Sequence, residues 1–296
     1  MTILDQRVRE ELVRRNYSEA TIRNYLQAVG QFRRYFCKRL DHLGPDDLRR
    51  YQVHLLENRK LSVGTVGLHI CALRFLYVKV LGRQDMKRQL PFPKERKRLP
   101  VILSPDEVRR LIDSARTLAQ RAMLMTMYSA GLRRAELCRL KVADIDSQRM
   151  MLRVENGKGG VDREVPLSQT LLETLREHYR WMRPKTYLFP GMAGNFRVDK
   201  PITAKVVWTA VREATQRAGI RKRVTPHTLR HCYATHLLES GADLRTIQLL
   251  MGHVDIEATT VYLHLSQKHL RATPNPLDQL TVSTTARIER SSKRLK

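Results

Sequence analysis

The chain has 296 residues, a length that fits about two domains, and 42% of its residues are hydrophobic, which supports a globular core and excludes wholesale disorder. Its 55 Lys and Arg against 29 Asp and Glu give a formal net charge of +26, a surplus that indicates a polyanionic partner. Nucleic acid is favoured over a membrane, because the sequence shows no long uninterrupted apolar stretch and no basic amphipathic helix isolated at one end. The competing interpretation is a basic surface that serves only solubility.

The spacing of the cysteines and the sequence of the N-terminus indicate in which cellular compartment the protein is expected. The cysteines are far apart and lack the paired spacing of a zinc site: Cys37, Cys71, Cys138 and Cys232. The N-terminal sequence MTILDQRVREELVRR has no apolar core followed by a small-residue cleavage site, so no secretory signal is predicted. We therefore expect a protein of the reducing cytoplasm.

Residues 1–85 are predicted to form a small helical domain. In SEATIRNYLQAVGQFRRYF, apolar residues recur at helical spacing, and Ser18 is a suitable N-cap. A third helix is predicted after LGPDD, whose proline and aspartates suit a first turn. A fourth, SVGTVGLHICALRFLYVKVLG, should end near Gly82. Basic residues interleave with the apolar ones, so the bundle should carry basic rows on its surface.

Residues 86–99 are predicted to be a basic linker. The surrounding stretch QDMKRQLPFPKERKRLP combines prolines with many lysines and arginines, which favours an extended conformation. Four of its basic residues are named the linker cluster: Lys94, Arg96, Lys97 and Arg98. We expect this cluster to lie along DNA and to contact phosphates.

Residues 100–272 are predicted to form a second domain. It opens with Ser104 as N-cap, Pro105 as first helical residue and Glu107 as capping-box partner. The apolar segment LAQRAMLMTMYSA predicts a buried helix that ends before Gly131. The stretch RMMLRVENGKGGVDREVPL predicts two strands around a glycine-rich turn.

Three more helices are predicted in this domain. One is SQTLLETLREHYRWM, one begins at Thr225 with Pro226 after it, and one has Asp243 as cap and Gly252 at its end. The final segment, 273–296, is polar, basic and interrupted by prolines, and its end is predicted to be mobile.

Four clusters in the second domain contain side chains suited to phosphodiester chemistry. They are Arg133 in AGLRRAEL, Lys158 in NGKGG, His227 and Arg230 in PHTLRHCYATHLLESG, and His253 and Tyr262 in MGHVDIEATTVYLH. Guanidiniums can hold phosphate oxygens in bidentate geometry, a phenol can be a nucleophile, and lysine or histidine can move protons. Such a set can attack a phosphodiester without a metal, and the sequence has no Walker-type loop and no carboxylate cluster suited to magnesium.

Local spacing supports each cluster. His227 and Arg230 are three apart on one predicted helix and therefore share a face. Glu136 follows Arg133 by one turn, where its carboxylate could fix the guanidinium. Lys158 lies in a glycine-flanked hairpin turn, which lets a lysine reach across a groove.

The order and spacing of these residues resemble the tyrosine recombinase (phage integrase) family, most closely its compact Xer-like members. The four site residues from His227 to Tyr262 are separated by 3, 23 and 9 residues, and GLRRAEL, GKGG, HTLRH, LLMGH and TTVYLH are similar as well. The resemblance spans about residues 100–270, and the N-terminal region is similar in length and pattern. It implies a mainly α fold: a small helical, SAM-like core-binding domain and a mixed α/β catalytic domain with a small antiparallel sheet.

The resemblance also implies an activity, that of a site-specific DNA recombinase. Such an enzyme cuts and rejoins strands through a 3′-phosphotyrosyl intermediate and a Holliday junction, in integration, resolution or transposition of DNA. The implied roles are Tyr262 as nucleophile, Arg133 and Arg230 as phosphate clamps, Lys158 as proton donor to the leaving 5′-oxygen, His227 as acceptor of the phenol proton, His253 as hydrogen-bond donor to the phosphate and Glu136 as support. No cofactor or metal is implied, because the covalent link keeps the bond energy.

The implied partners are double-stranded DNA recombination sites and three further copies of the chain, in a homotetramer. A second recombinase or an accessory protein is a further candidate, and a bacterial-type, nucleoid-associated location is expected. Pro274 and Pro276 interrupt the segment after Tyr262, and we hypothesise that the tail 273–296 docks in a neighbouring subunit and gates the tyrosine. The chain begins with the core-binding pattern, which favours short, simple recombination sites.

Two alternatives remain open at this point. One is a type IB topoisomerase or hairpin resolvase that uses the same chemistry; compact length and Xer-like spacing favour the recombinase. The other is a non-catalytic DNA-binding protein on the same fold, against which the intact set of six residues argues.

Overall fold

The computed structural model describes residues 2–94, 99–155, 162–193, 196–253 and 255–263. The chain divides into two compact units, Met1–Arg98 and a second that begins at Leu99. Each unit has its own hydrophobic core. The units are mostly helical, and small antiparallel sheets lie in the second, as the fold-class prediction required.

The first unit is a bundle of helices. They are α1 (Ile3–Arg14), α2 (Glu19–Phe36), α3 (Pro45–Glu57) and α4 (Val63–Arg74), which continues as a π-helical turn, Phe75–Val80, with short 3₁₀ turns at Leu40–His42 and Gln84–Lys87. The predicted cap of α2 is confirmed, since Ser18 Oγ accepts a hydrogen bond from the Thr21 N–H at 3.3 Å. α2 packs against α1 and α4, which buries their apolar faces in one core.

The segment Val63–Val80 is longer and more apolar than the sequence analysis allowed. By length and composition alone it could cross a bilayer. In the structure its apolar residues instead supply the core of the first unit, where Val66, Ile70, Leu73 and Tyr77 are buried. A helix buried in a protein core can be as apolar as a membrane-spanning helix, so the burial of Val63–Val80 accounts for its apolar composition.

The beginning of the predicted linker differs in the structure. Met86 and Leu90 are buried in the core of the first unit, and Arg74 donates from Nε and Nη2 to Leu90 O at 3.0 and 2.6 Å. The extended-linker prediction was therefore wrong for these residues, because burial of their apolar side chains holds the chain against the bundle. In the linker cluster, Lys94 is exposed, and Arg96, Lys97 and Arg98 lie outside the described residues.

The second unit contains more helices than the first. They are α5 (Pro105–Asp113), α6 (Leu118–Ser129), α7 (Arg134–Arg139), α8 (Gln169–Met182), α9 (Ala204–Arg217), α10 (Pro226–Glu239), α11 (Leu244–Met251) and α12 (Glu257–Thr260). The predicted capping box of α5 is confirmed: the Ser104 and Glu107 side chains each accept the other residue's backbone N–H, at 3.2 and 2.8 Å. Asp243 caps α11 by accepting the Thr246 N–H at 2.9 Å, and Gly252 ends that helix with a φ of +58°.

Among the described residues, two small antiparallel sheets lie in the second unit. Strands β1 (Ile145–Asp146), β2 (Met151–Val154) and β3 (Arg163–Pro166) pair in that order, and β4 (Pro190–Ala193) pairs with β5 (Phe196–Pro201). The two predicted strands are confirmed by β2 and β3, where Leu152 faces Val165 and both are buried, whereas the glycine-rich stretch predicted to connect them lies outside the described residues. The sequence analysis missed the second sheet, because the glycine, prolines and charged residues of its strands weaken the strand pattern.

The buried helix α6 organises the second unit. It packs against α7, α8, α9 and α10, and its Leu124 and Met127 are completely buried. α10 in turn packs against α11, and α11 contacts both α12 and β3. This packing brings together segments that are distant in sequence, from the α6–α7 turn to the start of β3, the middle of α10 and the region after α11.

Candidate active site

The turn between α6 and α7 positions the first predicted arginine. Gly131 has a φ of +56°, and a Cβ at this position would clash with the ring of Tyr233, so only glycine fits the turn. Arg133 follows as the residue before α7. Its backbone N–H and its Nη1 both donate to the Glu136 carboxylate, at 2.8 and 2.7 Å. The carboxylate predicted as a support therefore holds the guanidinium from one turn away.

Helix α10 carries the second predicted arginine. Arg230 is buried, and its Nη1 and Nη2 donate to Gly131 O and Met251 O. Arg230 therefore ties α10 to the α6–α7 turn and to the end of α11. His227 lies three residues earlier on α10 and is exposed.

The region after α11 contributes an imidazole and the phenol. His253 Nδ1 is hydrogen-bonded to Thr259 Oγ1 at 2.9 Å, so the ring is fixed by the short helix α12. Tyr262 follows that helix and is 1% exposed. Its hydroxyl is hydrogen-bonded to His231 Nδ1 at 3.2 Å, and its ring lies nearly parallel to that of His253, with centroids 6.3 Å apart and an interplanar angle of 10°.

The cluster is strongly cationic around one carboxylate. Burial by itself raises the pKa of Glu136, but its hydrogen bonds to Arg163 and Arg133 and the charge of Arg163 outweigh that effect and hold the pKa at about 2. Burial and the nearby charge of Arg133 lower the pKa of Arg230 to about 10. At neutral pH Glu136 is therefore ionised and Arg230 protonated, which leaves positive charge available to an anion.

The imidazoles are neutral and the phenol is protonated at neutral pH. Burial and neighbouring positive charge lower the pKa of His231 and of His253 to about 4. The pKa of His227 is lowered as well, by partial desolvation of the ring and by the charges of Arg230 and its neighbours, although part of this side chain is exposed. Burial raises the pKa of Tyr262, although Arg230 and Arg133 oppose the shift. A neutral imidazole can accept a proton, and the cationic surroundings favour any anion that forms nearby.

The structure brings most of the predicted site residues together. Arg133 is hydrogen-bonded to Glu136, and both Arg133 and Arg230 are hydrogen-bonded to carbonyl oxygens at the end of α11. Arg230 is also bonded to the α6–α7 turn. Tyr262 is hydrogen-bonded to His231, which lies on α10 next to Arg230. His253 stacks beside Tyr262. Lys158 lies outside the described residues. Lys94 belongs to the first unit and is exposed.

Two residues of this cluster were missed by the sequence analysis. His231 contacts the phenol, and a signal existed for it, because His231 is four residues after His227 and thus on the same helical face. Arg163 pairs with Glu136 through both Nη atoms, at 3.1 and 2.8 Å. Its signal was weaker: Arg163 alternates with Val165 on the buried face of β3, where an arginine requires a partner.

The arrangement places the guanidiniums of Arg133 and Arg230 and the buried phenol of Tyr262 in one cluster. In the part of the chain that the structure describes, no group of three or more His, Cys, Asp or Glu side chains could hold a metal ion. Charge on the phosphate can be met by Arg133 and Arg230, as in other sites built for phosphoryl groups. These groups are of the types that phosphodiester chemistry without a metal requires.

Comparison with models of known protein families identifies the family of this chain. The phage integrase family matches residues 102–269, and its N-terminal SAM-like domain matches residues 4–85. The chain therefore belongs to the phage integrase family, the tyrosine recombinases.

Individual relatives agree with this membership. Protein y4qK of Sinorhizobium fredii is 46% identical over 281 residues, which cover 95% of this chain and 90% of the relative. Tyrosine recombinase XerA of Pyrococcus horikoshii is 39% identical over 211 residues, 71% of this chain and 72% of the relative.

Solved structures share the fold at lower identity. XerH bound to a palindromic difH substrate in a post-cleavage complex aligns with a TM-score of 0.70 at 21% identity, covering 87% of this chain and 80% of that one. A lambda integrase tetramer bound to a Holliday junction aligns with a TM-score of 0.70 at 19% identity, covering 89% and 76%.

Proposed function

We propose that this chain is a site-specific DNA recombinase in which Tyr262 cuts a strand and retains it as a 3′-phosphotyrosyl link. The observation that carries the proposal is the position of the Tyr262 hydroxyl. It is bonded to α10, the helix whose Arg230 is joined to Arg133 through the end of α11. The family to which the chain belongs breaks and rejoins DNA strands, in agreement with this chemistry.

In the proposed cleavage step the phenol oxygen attacks the scissile phosphorus. A bond forms between Tyr262 Oη and phosphorus, and the bond from phosphorus to the 5′-oxygen breaks. Arg133 and Arg230 neutralise the charge that grows on the non-bridging oxygens. Rejoining is the reverse reaction with a 5′-hydroxyl from another strand, so the covalent link conserves the bond energy and no nucleotide cofactor is consumed.

The phenol must lose its proton to become a good nucleophile. The sequence analysis predicted His227 as the acceptor, but the hydrogen bond at the hydroxyl supports His231 instead. His231 is neutral at pH 7 because its pKa is lowered to about 4. An anionic phosphate beside Arg230 would raise that pKa towards a value more useful for a base, which couples proton transfer to substrate binding.

The leaving 5′-oxygen needs a proton, and Lys158 remains the proposed donor. The support is its place in the sequence, in the glycine-flanked stretch NGKGG that follows the sequence of β2 and precedes that of β3. His253 keeps its proposed hydrogen bond to the phosphate. His253 Nδ1 is engaged by Thr259, so Nε2 is the nitrogen left for this bond.

The buried position of Tyr262 requires a change before cleavage. A side chain that is 1% exposed cannot touch a DNA phosphate, so binding of DNA or of a neighbouring subunit must expose the phenol. The helix before it, Glu257–Thr260, is a single turn, which limits what that movement disrupts.

The proposed partners are double-stranded recombination sites and three further copies of the chain. The net charge of +26 supports binding to DNA. The XerH and lambda integrase structures supply the precedent for a DNA site and for a tetramer on a Holliday junction. We further infer action in the cytoplasm at the nucleoid. The relatives named as recombinases favour this function over a topoisomerase.

The test is covalent capture of DNA. A site is first selected from random duplex DNA by binding and then built into substrates that carry a nick at each successive position. The wild-type protein should form an adduct that survives denaturant at one nick position. Tyr262→Phe should form none while its affinity for intact DNA stays within about threefold, since only the nucleophilic oxygen is lost.

Tyr179→Phe is the matched control, because Tyr179 is an exposed tyrosine on α8 of the same unit. It should form adduct at the wild-type rate. A denaturant-resistant adduct in the Tyr262→Phe protein would show that another residue is the nucleophile.

A further inference from the structure

The end of α11 holds an arrangement that the predicted site residues do not explain. The last carbonyl oxygens of a helix have no partner within it. Here three successive oxygens each accept a hydrogen bond from a different arginine: Leu250 O from Arg163 Nε at 2.8 Å, Met251 O from Arg230 Nη2 and Gly252 O from Arg133 Nη2 at 2.9 Å. Three cations also suit the negative end of the helix dipole.

The same three arginines meet at one carboxylate. Arg163 pairs with Glu136 in bidentate geometry, Arg133 donates to it at 2.7 Å, and Arg230 Nη1 lies 3.9 Å from it. Glu136 is the acidic partner that the described ion pairs give to all three. Three positive charges around one negative charge leave a surplus for a bound phosphate.

Arg163 differs from the other two arginines in how its donors are used. Its Nε, Nη1 and Nη2 are each bonded to protein oxygens, and its side chain is 6% exposed. The side chain of Arg133 is 20% exposed, and that of Arg230, although only 5% exposed, is hydrogen-bonded through Nη1 and Nη2. Arg163 could bind a phosphate only by giving up Glu136 or the end of α11.

We propose that Arg163 is a positioning residue for DNA cleavage, which holds Glu136 and the end of α11 so that Arg133, Arg230 and the following His253 can receive the phosphate. This inference rests on the proposed function of the two phosphate-binding arginines. The stem of Arg163 also supports it, because an added Cβ on Gly252 would lie 3.1 Å from Arg163 Cδ, so the arginine packs directly against the residue before His253.

The physical consequence of losing Arg163 follows from the charges. Glu136 would keep its full charge and would be shared by Arg133 and Arg230 alone. Both guanidiniums would be drawn towards the carboxylate, and less of their charge would reach the transition state. The end of α11 would also lose one of its caps.

The experiment compares Arg163→Met and Arg163→Lys with wild type in single-turnover adduct formation at saturating protein. The methionine keeps the apolar stem and removes the charge, and the lysine keeps the charge but loses the planar fork. We expect adduct formation to slow about 100-fold in Arg163→Met and about 10-fold in Arg163→Lys, with DNA affinity changed less than about threefold. Arg153→Met is the matched control, because Arg153 is an exposed arginine on β2 that pairs with Asp162 at 3.1 Å.

A double-mutant cycle tests whether Arg163 acts through Glu136. If it does, Arg163→Met should slow a Glu136→Gln protein by less than about threefold, because the partner is already gone. A second readout uses DNA with a neutral methylphosphonate at the scissile position, which needs less positive charge. The deficit of Arg163→Met should shrink about 10-fold on that substrate, whereas a general loss of structure would persist.

Each variant is assayed at a temperature at which its tryptophan fluorescence is native, and Arg163→Lys carries the test if Arg163→Met does not meet this criterion. Three results would each overturn the proposal. The first is cleavage by the Arg163 variant within threefold of the wild-type rate. The second is a rate deficit that adds in full to that of Glu136→Gln, and the third is a rate deficit that is unchanged on the methylphosphonate substrate. If the wild-type protein forms no adduct, the proposed function itself fails, and that outcome is distinct from a variant that cleaves normally.

Discussion

Replacement of Glu136 by glutamine should destabilise the second unit by an amount that depends on pH in a defined way. The Glu136 side chain is 3% exposed and accepts hydrogen bonds from Arg133 and from Arg163. Glutamine keeps the shape of the side chain but removes the charge that these guanidiniums require. The loss is therefore electrostatic, and its size follows from the pKa of the carboxyl.

That pKa is held at about 2 in the folded protein, against 4.5 without these interactions. A difference of about 2.5 units corresponds to about 3 kcal/mol of stability at neutral pH. Because the folded value is the lower one, this contribution is complete above about pH 5 and is lost as the pH falls towards 2. About 1 kcal/mol of it should be gone by pH 4 and about 2 kcal/mol by pH 3.

The assay is denaturant unfolding followed by tryptophan fluorescence. Both tryptophans of the chain, Trp181 on α8 and Trp208 on α9, lie in the second unit, so the signal reports that unit alone. At pH 7 the free energy of unfolding of Glu136→Gln should be lower by about 3 kcal/mol, or its Tm by about 6–12 °C. The gap between the two proteins should narrow as the pH is lowered.

Glu164→Gln is the matched control. Glu164 is a more exposed carboxylate on β3 that pairs with Arg149 at 3.2 Å, and its loss should cost less than about 1 kcal/mol. Equal stability of wild type and Glu136→Gln at pH 7 would refute the reasoning. A gap that stays constant from pH 7 to pH 3 would also refute it, because the cost would then come from packing and not from charge.

Four further predictions concern the reaction on DNA. Lys158→Ala should slow cleavage of ordinary DNA, and a substrate with a 5′-bridging sulfur, which leaves without protonation, should largely restore the rate; without rescue Lys158 is not the proton donor. His231→Ala should slow adduct formation about 100-fold with little change in DNA affinity, whereas an unchanged rate would leave the hydrogen bond to Tyr262 without a role in proton transfer. Neutralising the linker cluster should weaken binding and reduce its salt dependence without altering the selected site; a changed site preference with the same salt slope would mean that the cluster contacts bases. Truncation after Ala272 should preserve single-site binding and sharply reduce synapsis and recombination, and full activity would show that the tail is dispensable.

The sequence by itself determined the local features and the residue types proposed for the site. Ser104 and Asp243 were recognisable as caps because a cap acts within three residues of itself. The hairpin of β2 and β3 followed from alternation and a glycine-rich turn. The predicted site residues were recognisable because the motif preserves their spacing along the chain, whatever their distance in space.

Only the tertiary structure decided which of these residues touch. His227 and His231 lie on the same side of one helix, and the folded position of Tyr262 after α12 makes His231 the partner of its hydroxyl. Arg163 shows no motif of its own, and its partner Glu136 is 27 residues earlier in the chain. Local signals in a sequence extend over about four residues, the reach of a helical turn or a cap. Contacts across 27 or more residues depend on how complete helices pack, so the network that joins Arg163, Glu136 and the end of α11 exists only in the folded unit.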